Sequence, residues 1–479
     1  MKKIAILGGG IAGITATYEL AKLARAGTPV EATLFEATNR LGGIVETVRE
    51  GGFIIECGPD GWVTDKPWAR ELAIELGLED ELLPSNDATR RTYILKDGTL
   101  QAIPDGLRLM VPTDLEALNR SPLFTDSAKQ AYRDEPSRAE ELKAHALKGA
   151  NSVTDESVAS FVLRHFGDEV LTTIAAPLLS GVFGGDVHSL SVRAVMAPFV
   201  AMEREHGSLI LGLQARGRAT SPGQSIFTSL KSGTASLIDR MVATIPPHWI
   251  HRNTPIRAIT RTATPTPVGW TIHRSETNSP PEHFDELILA TPADVTRDLL
   301  HPIDPQASFL LDLDASSAVI VAFAFPNAAT IPLPPGFGFL VPPPSTQAVE
   351  STTTRLLAAT FTDQKYDHRV PAGSRLLRAF FGGPTAERMM RCNNDEIAAI
   401  ARLELARILG PLLEPQITII RRWPRSLPQY AVGHLERMAS LDLRIAQLPN
   451  LHLIGNAYRG VGLPDLIREA KALTQRLST

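Results

Sequence analysis

The sequence predicts an α/β fold with α+β insertions, built on a Rossmann-like unit. Three observations lead there. Residues 4–7 and 30–35 are short apolar runs, and residues 14–23 carry apolar side chains at helical spacing, so residues 3–36 read as strand, helix, strand. Gly8, Gly10 and Gly13 stand where the first run gives way to the helix. Near the other end the order recurs: an apolar run at 451–454, the turn GNAYRGVG, and helical spacing over 463–477.

Between these ends the chain is heterogeneous. Residues 52–56 predict a strand and residues 67–78 a helix. Val158, Phe161, Val162 and Phe166 recur at helical spacing within a mostly helical insertion expected over 105–215. Short apolar stretches separated by Pro, Thr and Asn over 246–281 predict a small β meander, followed by a buried strand from Leu287. Residues 326–343, rich in proline, should be irregular or an edge strand. No repeat or low-complexity tract occurs.

Composition narrows the class of protein. The 479 residues are 43% hydrophobic and 21% charged, as in soluble globular chains. At about 100–200 residues per domain, two or three packed units are expected. A net charge of -4 without a basic block argues against nucleic acid as partner. Cys57 and Cys392 are too few for a disulfide framework or a cysteine zinc site, so a reducing, cytoplasmic setting is the simpler reading, with a lone bridge left open. The opening MKKIAILGGG has the lysines of a secretion signal, but glycines break its apolar run, and we read it as a buried strand. No apolar run reaches the ~18 residues of a spanning helix, so membrane association would be peripheral.

The glycines fit G-x-G-x-x-G in the strand-to-helix context that the motif requires. Gly8 permits the tight turn, Gly10 lets backbone approach a diphosphate, and Gly13 allows close helix packing. The helix N-terminus then offers free N–H groups to the phosphates. Glu36 closes the second run, where its carboxylate can accept hydrogen bonds from ribose hydroxyls and repel a 2′-phosphate. Taken alone the motif is equally a glycine-rich turn with a solvent-facing Glu; the strand, helix and acid together favour the dinucleotide.

FAD rather than NAD follows from Asn-Arg-Leu-Gly-Gly, where Arg40, Gly42 and Gly43 resemble the R-x-G-G segment of the amine oxidase-like flavoproteins. That segment is a second close backbone approach with a guanidinium beside the diphosphate; the plainer alternative for Arg40 is a surface side chain at a turn. No second G-x-G-x-x-G follows a strand, so no NAD(P)H domain is evident and electrons must come from the substrate, which favours an oxidase. Without a C-x-x-C or C-x4-C pair a disulfide reductase is excluded, and the scattered histidines form no H-x3-H or H-E-x-x-H metal site.

Four segments are more specific: MEREHGSLILG from Met202, GFGFLVP from Gly336, RWPRSLPQY from Arg422, and LIGNAYRGVGL from Leu453. With LSGVFGGD from Leu179 and Leu190-Ser-Val, they resemble the oxygen-dependent protoporphyrinogen oxidase family of haem biosynthesis, nearly end to end. The resemblance implies a discontinuous FAD domain (1–90, 216–300 and 430–479), a sheet-based substrate domain (301–429 with part of 85–105), and a helical, membrane-associating domain at 105–215. FAD would be held by Gly8, Gly9, Gly10, Ile11, Ala12 and Gly13, by Glu36 and Ala37, and by Arg40, Gly42 and Gly43. Gly58, Pro59, Asp60 and Gly61 would meet the flavin, Ile256 the adenine side, and Trp423, Gly455, Val461, Gly462 and Leu463 would complete the cradle.

The substrate implied is a flexible, mostly apolar tetrapyrrole with propionate arms. Leu340, Thr360 and Phe380 match substrate-facing positions, Phe380 stacking on a pyrrole, and the carbonyl of Gly181 would face the macrocycle centre. Each is otherwise ordinary core packing. One departure stands out: where some members have a propionate-pairing arginine before the Tyr-Ile strand, this chain has Thr92, with Arg91 one residue upstream and so on the other face. The choice between protoporphyrinogen IX and coproporphyrinogen III is therefore open.

The implied chemistry is a six-electron oxidation of protoporphyrinogen IX, or alternatively coproporphyrinogen III, with dioxygen as acceptor. The flavin drives it without a catalytic side chain, positioning carrying the catalysis. The expected setting is cytoplasmic, peripheral on the inner face of the cell membrane, with a homodimer compatible. Rival readings are an FAD amine oxidase or carotenoid desaturase, and a noncatalytic FAD-binding module.

Overall fold

The computed structural model describes residues 1–148, 155–217, 225–262, 269–276, 280–328, 330–343 and 355–477; parts of the expected insertion and meander lie outside them. The chain divides into two compact units, one of Met1–Ser85, Ile226–Asp314 and Glu436–Thr479, the other of Asn86–Ser225 and Ala315–Leu435.

A five-stranded sheet organises the first unit, in the order Ile250–His251, Val30–Phe35, Lys2–Leu7, Glu286–Leu289, Leu451–Leu453, with every pairing parallel. Strands covered on both faces must be apolar throughout. Ile4 and Ile6 accordingly join one core, with Ile14 and Leu20 of helix Ile11–Arg25 and Ile467 and Leu473 of helix Leu463–Leu477. Ala5 and Leu7 join another, with Trp270 and Ile272. The opening MKKIAIL is thus the strand that its glycine stop predicts. The second core is covered by the expected meander, Ile256–Arg261, Trp270–Arg274 and Glu282–Phe284, in antiparallel order.

The second unit contains a seven-stranded sheet ordered Ile417–Pro428, Ala315–Phe325, Arg375–Gly382, Ala358–Phe361, Gly338–Leu340, Thr92–Lys96, Thr99–Ala102, with one parallel pair, Gly338–Leu340 on Thr92–Lys96. One face packs Val319, Val321, Phe323, Phe339 and Phe361 against Ile397, Ala401 and Leu405 of helix Asn394–Leu409. The proline-rich segment departs from expectation here: Gly338–Leu340 is an interior strand, not an edge. Gly338 explains it, because a Cβ there would lie 2.0 Å from the Ala359 carbonyl oxygen; only glycine lets the neighbouring strand close in.

The helical part of this unit buries Phe161, Val162 and Phe166 of helix Val158–Phe166 with Tyr132 and Ile210, as their spacing predicts. Inside it lies an ionic cluster. His165 Nδ1 is 2.9 Å from Glu135 Oε1 and its Nε2 is 3.2 Å from Glu203 Oε1, all three side chains being buried. Glu135 also accepts from Ser208 Oγ and, at 2.7 Å, from the Leu209 amide, capping helix Leu209–Ala215. Arg164 bridges Glu156 and Glu203. With a carboxylate on each ring nitrogen the imidazole must donate from both, which only the protonated ring can do.

Burial alone would lower the His165 pKa, but the hydrogen bonds to Glu135 and Glu203 outweigh it and hold the pKa above the ordinary histidine value. The contribution to stability is therefore full below the unfolded-state pKa of ~6.5 and is lost as pH rises through the raised folded value. We expect His165→Gln to destabilise by about 3 kcal/mol at pH 6, with a gap that narrows at alkaline pH. Thermal unfolding across a pH series checks this; a constant gap would contradict it.

Candidate functional site

Two glycine turns meet at the C-terminal end of the parallel sheet. Gly8 ends the first strand with φ +105, its amide donating to the Phe35 carbonyl at 2.8 Å. Gly13 lies so close to the same turn that a Cβ would fall 2.0 Å from the Gly8 carbonyl oxygen. The second turn docks on the first: the Gly42 amide donates to the Gly9 carbonyl at 2.7 Å, Gly10 and Gly42 form an isolated bridge, and a Cβ on Gly43 would approach Gly10 Cα to 3.2 Å. By contrast a Cβ on Gly10 would meet nothing within 4 Å, so the space before this turn is open. Helix Ile11–Arg25 starts there with no side-chain cap and no acid in its first turn, leaving its first N–H groups to a ligand.

Glu36 sits beside this cradle. Its Oε2 accepts from the Gly9 amide at 2.7 Å and its Oε1 from the Thr38 amide at 2.9 Å, which holds the carboxylate at the end of the second strand. Ala37, next to it, is exposed. The Glu36 carbonyl accepts from the Thr254 amide at 2.8 Å, bringing Ile256 to the same end. Arg40 is turned onto its own loop: it donates to the carbonyls of Leu41 at 3.1 Å, Val45 at 3.0 Å and Gly43. Its visible role is to hold Gly42 and Gly43 against Gly9 and Gly10.

The loop continues the cradle to Gly58, where a Cβ would lie 1.8 Å from the Ile44 carbonyl oxygen. The carbonyls of Pro59 and Asp60 accept from Thr234 Oγ1 at 3.2 Å and Ser229 Oγ at 2.6 Å, so the turn through Gly61 is pinned from two sides. The C-terminal turn reaches the same region by an ion pair, Lys66 Nζ to Asp465 Oδ2 at 2.7 Å. Asp465 lies against Gly460 and Gly462, where Cβ atoms would come within 2.7 Å and 3.2 Å of its side chain. The helix that starts at Leu463, after Val461 and Gly462, therefore carries its own carboxylate, and Gly455 follows the preceding strand with φ +146. Sequence reasoning singles out neither Lys66 nor Asp465; nothing local joins residues 399 positions apart.

Trp423, the remaining cofactor candidate, belongs to the second unit, on strand Ile417–Pro428 opposite Ala318. The substrate candidates are all in that unit. Register puts Thr92 opposite Gly338, Gly338 opposite Thr360, Leu340 opposite Ala358, and Ala358 opposite Phe380. Because Tyr93, Phe339, Phe361 and Phe381 enter the core under helix Asn394–Leu409, the alternating Thr92, Leu340, Thr360 and Phe380 share the opposite face. Gly181, in helix Ala176–Phe183, meets that face: a Cβ on it would lie 3.6 Å from Leu340 Cδ2. Arg91 precedes the strand, exposed, on the Tyr93 side, with its carbonyl accepting from the Phe337 amide at 2.8 Å.

The family model for flavin-containing amine oxidoreductases matches residues 11–477. The chain belongs to that family. This flavoprotein is 30% identical over 479 residues to coproporphyrinogen III oxidase of Bacillus subtilis (strain 168), covering 98% of this chain and 97% of that one. To the Staphylococcus aureus protein of the same name it is 27% identical over 491 residues, covering 99% of each. Among solved structures, a putative protoporphyrinogen oxidase from Exiguobacterium sp. 255-15 superposes with TM-score 0.83 at 32% identity, over 100% of this chain and 98% of that one.

The flavoprotein is an FAD-dependent oxidoreductase, and its glycine cradle, its uncapped helix and the acid at the end of its second strand suit that cofactor. No described helix is long and apolar enough to cross a membrane. Gly13→Ala should displace the first turn, since its Cβ has no room before the Gly8 carbonyl. We expect the purified variant to carry less than about a tenth of the FAD of the natural protein, a loss of roughly 1.4 kcal/mol or more in binding. The visible flavin band per mole of protein measures it; full loading would refute the close-approach argument.

Proposed function

We propose that the flavoprotein oxidises a porphyrinogen to the corresponding porphyrin, with coproporphyrinogen III the substrate and protoporphyrinogen IX the alternative. One observation carries the reading: the sheet register gathers Thr92, Leu340, Thr360 and Phe380 on one face and brings Gly181 against it. Such a wall, largely apolar with few polar groups, suits a large tetrapyrrole with carboxylate arms. The names of the bacterial relatives support coproporphyrinogen over the protoporphyrinogen that the sequence puts first.

In this reading the turn from Gly8 to Gly13 takes the diphosphate on backbone N–H groups, Glu36 and Ala37 with Ile256 take the adenosine end, and the Gly58–Gly61 turn and Val461–Leu463 take the flavin. Trp423 is carried over from the resemblance alone. Bound FAD supplies the hydride acceptor. The protein's part is positional: Phe380 stacks on a pyrrole, the Gly181 carbonyl accepts from pyrrole N–H groups, and the apolar wall keeps water from the reacting carbon. Six electrons leave the substrate in three two-electron steps, each reducing one dioxygen to hydrogen peroxide. The reading also takes from the resemblance peripheral membrane contact and a homodimer; for the first, Leu147, Leu163 and Leu211 are exposed on three helices.

The test is to give the FAD-loaded protein each porphyrinogen in air and follow porphyrin fluorescence and oxygen uptake together. We expect both signals with coproporphyrinogen III, at a kcat/KM about tenfold or more above that for protoporphyrinogen IX, a difference of ~1.4 kcal/mol. FAD-loaded protein that forms no porphyrin from either above the spontaneous rate overturns the reading.

A further inference from the structure

The sheet face that carries the substrate candidates also carries a cation that sequence reasoning does not single out. Register continues the row Thr92, Gly338, Thr360 into Arg378 and then Ala322, while the adjacent row runs Leu340, Ala358, Phe380, Ile320 and Arg421. The facing is fixed independently at the sheet's edge. Arg422 points to the helix side, donating to the Cys392 carbonyl at 2.7 Å and Asn394 Oδ1 at 2.8 Å, so Arg421 and everything in register with it lie on the other face.

On that face Arg378 is 1% exposed, with its guanidinium 4.9 Å from the centre of the Phe380 ring. A guanidinium over an aromatic ring is held there by cation–π attraction, and its five donors can serve a ligand carboxylate alongside protein contacts. Directly across the strand pair, Thr360 Oγ1 is buried and meets no hydrogen-bond partner among the described residues. A buried hydroxyl without a partner is destabilising, so such a position points to something the folded chain alone does not supply. The two groups are neighbours on a wall that also carries Thr92, Leu340, Ala358, Phe380, Ile320 and Ala322, with the second cation, Arg421, at its far edge.

We infer that Arg378 and Thr360 form a carboxylate seat that takes one propionate of the porphyrinogen, Arg378 through a two-pronged contact and Thr360 by donating its hydroxyl hydrogen. This rests on the porphyrinogen reading and deepens it. It also answers the missing arginine at Thr92: the cation stands in the same cross-strand row, three strands along, rather than at the start of the Tyr-Ile strand. Phe380 then has two tasks, presenting its ring to a pyrrole and holding the guanidinium beside it. A carboxylate placed there anchors one edge of the macrocycle and adds to its binding rather than to the chemical step.

The test compares the FAD-loaded natural protein with Arg378→Gln, Arg378→Lys, Thr360→Val and Thr360→Ser. Binding of coproporphyrin III and of its tetramethyl ester is read from porphyrin fluorescence, and KM and kcat are measured with coproporphyrinogen III. We expect R378Q to weaken the acid about tenfold or more while leaving the ester within about twofold. R378K should recover part of the loss, T360V should weaken the acid about threefold, and T360S should not. KM should rise with kcat nearly constant, which a merely structural role would not produce. An acid-to-ester ratio unchanged in R378Q overturns the seat. If R378Q loses its FAD or aggregates, T360V decides, and an acid affinity equal to that of the natural protein overturns it. Natural protein that neither binds nor oxidises porphyrins removes the reading beneath the seat, a result distinct from an unchanged ratio.

Discussion

Everything at the C-terminal end of the parallel sheet depends on how closely two backbone turns approach each other. The Gly42 amide donates to the Gly9 carbonyl, Gly43 leans on Gly10, and Gly58 lies where a methyl group would collide with the Ile44 carbonyl. Side chains at these points would separate three segments that must touch to make one continuous cradle. The glycines carry the entropic cost of their unfolded freedom, offset here by contacts that no other residue permits. Glu36 and Arg40 lock the arrangement from either side, each bonding to backbone rather than reaching into solvent.

The second unit solves a different problem with the same means. A sheet with one face under a helix keeps that face apolar and leaves the other to different side chains, and alternation along the strands separates the two. Val319, Val321, Phe339, Phe361 and Phe381 cement one face to helix Asn394–Leu409. Gly338 links the two faces, since without the close approach it allows, Leu340 and Thr360 would not share a row system with Thr92 and Phe380.

The helical part pays for its order in charge rather than in apolar area alone. Glu135, His165, Glu203, Arg164 and Glu156 form a chain of alternating sign, its first three members buried and the last two half-buried. Breaking one link strands a charge in a low dielectric. Such a chain fixes which helices meet, because each carboxylate has a partner on a different element. His165 shows why this was hidden: at the sequence level it is one of several scattered histidines, and only folding places carboxylates from two other helices on its two nitrogens.

By itself, the sequence determined what is local. The strand, turn and helix of the dinucleotide unit, the meander and helix Leu463–Leu477 follow from periodicity and glycine spacing, because such signals act over a few residues. FAD was legible for the same reason, the acid and the second glycine pair following the first within one short stretch. What only the tertiary structure decided is pairing between separate strands and turns, from tens to hundreds of positions apart: Lys66 with Asp465, the interior place of Gly338–Leu340, and the row that sets Arg378 beside Thr360. Periodicity says which way a side chain points along its own strand, but register between strands is a property of the whole sheet, and it is register that brings Thr92, Leu340, Thr360 and Phe380 onto one face.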